Sequence, residues 1–129
     1  MTRSRWGDLV VPGGIPDAVP SIVIIDTGWA RHFGQQAALQ HPHLDAATAA
    51  ELWRRGMRLL AVDTLSPDQT GATGAPAASF PVHGIVLGGD GLIVENIRGL
   101  TDLPARVRVG FFPLNLQGDA APVRAVAFT

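Results

Sequence analysis

A histidine and a carboxylate lie twelve positions apart in one apolar stretch of this sequence. His83 and Glu95 lie within residues 80–97, where half of the other residues are Val, Ile or Leu. An ionised Glu between Val94 and Ile97 must face water or find a partner, because burying a bare carboxylate costs several kcal/mol. A metal ion is one such partner, and imidazole with carboxylate suits Zn²⁺ or Mn²⁺. A core histidine beside an edge-strand glutamate is the alternative, and the spacing alone leaves both open.

Local signals indicate how the chain could bring these two side chains together. Residues 79–81 favour the start of a short helix and the glycines at 88–89 favour its end, which places His83 in the first turn. A strand is then predicted over residues 92–97, with Glu95 on the same face as its apolar neighbours at 93 and 97. A hairpin centred on Gly89 and Asp90 is the rival interpretation. Either arrangement reverses the chain.

Upstream, the pattern predicts two strands joined by a helix. Residues 21–26 form a β-branched run, residues 45–56 are rich in helix formers behind an Asp45 N-cap, and residues 57–62 are again apolar. Such a βαβ unit makes the strands parallel neighbours and collects polar residues at their carboxyl ends. Asp63 there could orient a metal-binding histidine or a water, or it could stabilise a turn. Asn96 is a further candidate for a hydrogen bond near the site.

Several motifs occur in an order that resembles the cyclase family of metal-dependent hydrolases. His83 and Glu95 occur with Val-Glu-Asn-Ile-Arg-Gly-Leu at 94–100. The other segments with this resemblance are Ser-Ile-Val-Ile-Ile-Asp-Thr-Gly-Trp at 21–29, the strand and loop at 55–68, and the closing segments at 112–119 and 121–127. The family includes the bacterial kynurenine formamidases (arylformamidases). The resemblance covers the C-terminal part of such an enzyme, from about Ser21 to the end.

This resemblance implies a fold, a metal and a reaction. The fold is α/β, part of a swivelling β/β/α domain, with a mixed sheet and a helix at about 45–56. His83 and Glu95 would ligate a divalent metal, Zn or Mn. The metal would lower the pKa of a bound water toward ~7, and the substrate would be a small N-formyl or cyclic amide such as N-formylkynurenine, hydrolysed to kynurenine and formate.

One motif of the family does not occur in this sequence. Family members carry His-x-Gly-Thr-His-x-Asp-x-Pro-x-His near the N-terminus, which supplies further ligands and a catalytic histidine, whereas His32, His41 and His43 of this chain do not follow that pattern. No catalytic residue is therefore assigned. The expectation is an incomplete hydrolase that needs an N-terminal-half polypeptide. The alternative is a non-catalytic, truncated or scaffolding subunit that keeps only the fold.

Composition sets the remaining expectations. The sequence has 129 residues, 47% of them hydrophobic, a net charge of −1 and no cysteine. These values favour neither nucleic acid nor a membrane as partner, and they indicate a cytoplasmic protein. The breakers Pro12, Gly13, Gly14 and Pro16 predict a flexible lead-in at 1–20. By the resemblance, residues 21–129 are the C-terminal part of a cyclase/arylformamidase-like domain, in which a mobile loop at 69–79 delivers His83. A largely apolar chain that matches half a fold is expected to expose apolar surface and to form a homo-oligomer.

Overall fold

The computed structural model describes residues 9–10, 14–70 and 80–129. The chain divides into two compact units, residues 1–98 and residues 99–129. Two α-helices occur in the first unit, α1 (Ala46–Arg54) and α2 (Pro81–Gly88), with two 3₁₀ helices, Trp29–His32 and Gln36–Gln40. The strands are β1 (Leu9–Val10), β2 (Ile22–Ile25), β3 (His43–Leu44), β4 (Leu59–Val62), β5 (Leu92–Val94), β6 (Arg108–Pro113) and β7 (Val123–Phe128).

A three-stranded parallel sheet is the centre of the first unit. Its strand order is β2-β4-β5, with Ile22 opposite Leu59 and Leu59 opposite Leu92. The predicted βαβ unit is therefore confirmed, since β2 and β4 are parallel neighbours joined through α1. The rival hairpin interpretation is excluded because Pro81–Gly88 is a helix, whereas a hairpin requires a strand there.

The two helices pack against each other and against the sheet. Side chains from α1, α2 and β4 form one buried apolar cluster, which includes Leu52, Leu60, Val62, Val82 and Val86. Leu60 and Val62 alternate along β4, so they share one face of the strand. Complete burial of such side chains is worth about 1.5–3 kcal/mol each. This cluster therefore holds α2, and with it His83, on the sheet.

Helix α1 has the boundaries that its end residues predict. The Asp45 carboxylate accepts hydrogen bonds from the backbone N–H of Thr48 at 2.9 Å and from its hydroxyl at 3.1 Å. Gly56 follows the helix with a φ of 122°, a conformation that glycine adopts without steric cost. Both signals act within one turn of the helix end, and the predicted helix at about 45–56 is confirmed.

Two local predictions need correction. Strand β5 ends at Val94 rather than at residue 97, because Asn96 has a left-handed φ of 57° and its N–H bonds to the Thr64 carbonyl at 2.9 Å. Glu95 therefore lies just beyond the strand. Part of the predicted lead-in is a strand, since β1 pairs in parallel with β3. Most of the predicted loop at 69–79 lies outside the described residues.

The second unit contains one antiparallel pair of strands. Strand β6 pairs with β7 from Arg108 opposite Phe128 to Pro113 opposite Val123, as the alternation over these residues predicts. The parallel and antiparallel strands thus lie in separate sheets, and the predicted α/β class is confirmed. Within the described ranges, no helix has the length and apolar character needed to cross a bilayer.

Candidate metal centre

An aspartate from a distant loop positions the first turn of α2. Pro81 occupies the start of the helix, but the N-cap residue Phe80 provides no side-chain cap. Asp68 supplies it instead: Oδ1 accepts from the N–H of Val82 at 2.9 Å, and Oδ2 accepts from the N–H of His83 at 3.0 Å. These N–H groups have no partner within the helix, so the carboxylate satisfies them and matches the positive end of the helix dipole.

The same carboxylate also fixes the His83 ring. Asp68 Oδ2 lies 2.7 Å from His83 Nδ1, and the Asp68 side chain is 2% exposed. A carboxylate can only accept, so Nδ1 carries the proton in this hydrogen bond. In the neutral ring Nε2 is then the free acceptor, which is the form that binds a metal. Asp68 thus selects both the tautomer and the direction of the ring.

Glu95 faces Nε2, the ring nitrogen that Asp68 does not contact. Its Oε1 lies 3.4 Å from His83 Nε2, and the two side chains are 35% and 30% exposed. Burial raises the pKa of Glu95 because it removes the carboxylate from water, and the nearby His83 opposes that rise. Water can reach the space beside both groups, since each is about one-third exposed.

The spacing of these two donor atoms fits a metal ion. In a tetrahedral site with bonds of ~2.0–2.2 Å, neighbouring ligand atoms are separated by ~3.4 Å, and the Nε2–Oε1 distance is 3.4 Å. A histidine backed by a carboxylate, next to a second carboxylate, is also a donor set suited to Zn²⁺ or Mn²⁺. The Nε2–Oε1 spacing is therefore compatible with two ligands of one divalent ion, and the ligand assignment of His83 and Glu95 stays a prediction.

The described part of the chain does not supply a third ligand. Over residues 14–70 and 80–129, no group of three or more His, Asp or Glu side chains is arranged to hold a metal. The Asp68 carboxylate is 2% exposed and accepts three hydrogen bonds, from Val82 N, His83 N and His83 Nδ1, so its role in this arrangement is to orient His83. Two protein donors leave most of the coordination sphere of an ion to water or to groups outside these residues.

Asp63 has a different role from the one considered for a metal site. Its carboxylate accepts from Thr27 N at 3.0 Å and Oγ1 at 2.7 Å, from Trp29 N at 2.8 Å and from Ala30 N at 3.3 Å. It therefore holds the start of the first 3₁₀ helix at the carboxyl end of β4. The carboxylate in contact with His83 is Asp68, so Asp63 fits the turn-stabilising alternative. Asn96 contributes through its backbone, which bonds to Thr64.

His41 and His43 have surroundings of their own. The His41 ring is buried between the Pro42 carbonyl, 2.8 Å from Nδ1, and the Thr70 hydroxyl, 2.6 Å from Nε2. Burial lowers the pKa of His41. His43 lies in β3, and its buried Nδ1 has no hydrogen-bond partner among the described residues.

Asp68 is the site residue that the sequence analysis did not single out. Two signals point to it. Asp68 is the last residue of the Ser66-Pro67-Asp68 segment, in the loop that resembles the cyclase family. The N-cap residue of α2 is Phe80, whose side chain has no acceptor for the free N–H groups of the helix. An uncapped helix start requires an acceptor from elsewhere, but its identity depends on a contact across fifteen residues.

Two comparisons relate this chain to known proteins. Residues 13–69 match the family model "Cyclase: Putative cyclase", a range that includes Asp63 and Asp68 and ends before His83. A search of curated proteins gives no match. A solved structure described as "The Structure Of Potential Metal-Dependent Hydrolase With Cyclase Activity" is 27% identical, with a TM-score of 0.50. The match covers 68% of this chain and 41% of that chain. By these two comparisons, the chain is similar to the cyclase family and to a potential metal-dependent hydrolase.

Proposed function

We propose that this chain provides part of the active site of a cyclase-type, metal-dependent amide hydrolase. The supporting observation is the arrangement Asp68–His83–Glu95, in which a buried carboxylate orients an imidazole toward a second carboxylate. His83 Nε2 and Glu95 Oε1 are the metal-binding atoms, and Zn²⁺ or Mn²⁺ is the metal. The substrate is a small N-formyl or cyclic amide, with N-formylkynurenine as the first candidate because the sequence resembles arylformamidases.

Each residue contributes a separate part of the chemistry. A divalent ion at this position would supply Lewis acidity, which acidifies water and polarises an amide carbonyl. Asp68 keeps the proton on Nδ1, so Nε2 remains a donor to the ion. Glu95 adds negative charge, and its partial burial strengthens its attraction to a cation. The one-third exposure of both ligands leaves room for water and substrate.

The remaining ligands and a catalytic histidine come, in this proposal, from a second polypeptide that carries the family's N-terminal motif. This chain spans 41% of the solved relative, and its described residues contain two suitable donors rather than three. The donor count also favours a second function, a non-catalytic binding or scaffolding subunit. The two functions differ in whether the added polypeptide produces turnover.

Metal titration and an activity assay test the proposal together. Calorimetry with Zn²⁺ and Mn²⁺ on chelator-stripped protein should show weak binding that His83→Ala and Glu95→Ala both abolish. The chain alone should release kynurenine from N-formylkynurenine no faster than buffer with the same metal, since two ligands hold the ion loosely. Adding a polypeptide with His-x-Gly-Thr-His-x-Asp should produce turnover that requires both residues. Binding unaffected by either substitution would refute the metal site, and chelator-sensitive turnover by the chain alone would refute its incompleteness.

A further inference from the structure

An arginine and a phenylalanine form an exposed stacked pair in the first unit. The guanidinium carbon of Arg98 lies 4.6 Å from the centre of the Phe33 ring. Phe33 is 51% exposed, and Arg98 is exposed as well. A guanidinium resting on an aromatic face keeps its N–H groups at the edge of its plane, where they can bind a carboxylate through two parallel hydrogen bonds.

This pair is anchored to the same strand end as the candidate metal centre. The Ile97 N–H bonds to the Val62 carbonyl at 3.1 Å, and Ile97 is buried, so the segment that carries both Glu95 and Arg98 is fixed to β4. Glu95 and Arg98 are three positions apart in the sequence, so their Cα atoms lie at most ~11 Å apart. Phe33 follows the 3₁₀ helix that Asp63 holds at the end of β4.

The location is where ligands bind in parallel α/β sheets. Glu95 and Asp63 follow the carboxyl ends of β5 and β4, and ligands of open α/β sheets bind outside these ends. Among the described residues, no carboxylate forms an ion pair with Arg98. An exposed arginine stacked on Phe33, without an ion-pair partner among the described residues, offers an anion-binding position at this end of the sheet.

We propose that Arg98, held by Phe33, binds the carboxylate of an anionic aromatic amide and thereby sets substrate preference at this site. The inference rests on the proposed function, since the amide carbonyl must reach the space beside His83 and Glu95. Arg98 offsets the repulsion that Glu95 exerts on an anion, and the exposed face of Phe33 offers an apolar surface to an aryl group. Arg98 and Phe33 are positioning residues and take no part in bond breaking.

The test compares two amides that differ by one charge. N-formylanthranilate carries a carboxylate next to its formamide, and formanilide is the same formamide without it. Saturation-transfer NMR titrations, with Zn²⁺ and separately with chelator, should give about tenfold tighter binding of N-formylanthranilate to the unmodified chain, the effect of one exposed bidentate pair of ~1.4 kcal/mol. Arg98→Gln should remove this preference, Phe33→Leu should reduce it, and 0.5 M salt should weaken it by screening.

A matched control uses the other strongly stacked arginine. The guanidinium carbon of Arg58 lies 4.5 Å from the centre of the Trp53 ring. Arg58 directly precedes β4, so it lies at the amino end of this strand, away from the carboxyl end that carries the candidate site. Arg58→Gln should therefore keep the preference for N-formylanthranilate. Circular dichroism and zinc affinity, measured on the same samples, should be unchanged in Arg98→Gln, because Arg98 is exposed and is not a ligand.

Equal binding of the two amides to the unmodified chain, no binding of either, or a preference that survives Arg98→Gln would each overturn the inference. These outcomes are separate from failure of the metal site. If zinc does not bind while N-formylanthranilate is still preferred through Arg98, the metal proposal fails and the anion-binding role of Arg98 stands.

Discussion

Replacing Asp68 by asparagine tests whether one buried carboxylate supports both the fold and the metal site. The substitution conserves volume. An amide has one acceptor oxygen, however, whereas Asp68 accepts three hydrogen bonds, from Val82 N, His83 N and His83 Nδ1. If the amide oxygen remains with Val82, the amide nitrogen faces the two donors of His83. The hydrogen bonds from His83 N and His83 Nδ1 are then lost, and the N–H groups of the amide face the N–H groups of His83.

The expected loss of stability follows from these contacts. A hydrogen bond to a charged group contributes about 1.5–3 kcal/mol, and a donor left buried without a partner costs about 1–3 kcal/mol. The two losses at His83 share one acceptor and do not add fully, so we expect a total of about 3 kcal/mol. With a urea m-value of about 1.5 kcal/mol/M for a chain of this size, the unfolding midpoint should fall by about 2 M.

Asp68→Asn should also weaken metal binding. Loss of the carboxylate that orients a ligand histidine typically reduces metal affinity by about 10–100-fold. Asp63→Asn is the matched control, because Asp63 is equally buried and accepts four hydrogen bonds, all from residues 27–30. It should lose comparable stability in urea titrations and keep its zinc affinity in calorimetry at a temperature where both variants are folded.

Two results would refute this reasoning. Zinc affinity unchanged in Asp68→Asn would mean that the carboxylate does not orient His83 for a metal. An equal loss of zinc affinity in Asp63→Asn would mean that Asp68→Asn acts by destabilising this end of the sheet in general. Either result would remove the structural argument for a ligand role of His83.

Three further predictions concern pH, the ligand carboxylate and association. Burial lowers the folded-state pKa of His41 below its ordinary value of 6.5, so the free energy of unfolding should be highest above that pH and fall below it, as the unfolded chain takes up the proton. Urea midpoints at pH 7.5 and 5.5 measure this change. An equal change of the midpoint with pH in His41→Gln would contradict it. Burial raises the pKa of Glu95, so its ionised form opposes folding at neutral pH, and Glu95→Gln should unfold at higher urea than the parent in chelator at pH 7.5 and lose this advantage below pH 4.5. Exposed apolar side chains of the second unit, among them Phe112, Leu114, Leu116 and Phe128, should drive self-association, and a single monomeric species in sedimentation velocity would contradict this.

Local sequence signals determined the helices and the central strands. Asp45 and Gly56 bound α1, and Pro81 and the glycines at 88–89 bound α2. Caps, breakers and β-branched runs act within one turn or one strand, so their effect does not depend on the rest of the fold. The same local order placed His83 in the first turn of a helix and Glu95 close after a reversal of the chain, which made the pair a candidate site.

Tertiary structure alone decided which carboxylate supports which element. Asp63 and Asp68 are similar aspartates at the ends of one strand and loop, yet one bonds to residues 27–30 and the other to His83, fifteen positions away. Tertiary structure also set the end of β5 at Val94, because Asn96 adopts a left-handed backbone conformation and its N–H bonds to the Thr64 carbonyl. Such partners are selected by burial: once packing excludes water, each buried donor must find an acceptor, and only the folded chain determines which acceptor is within reach.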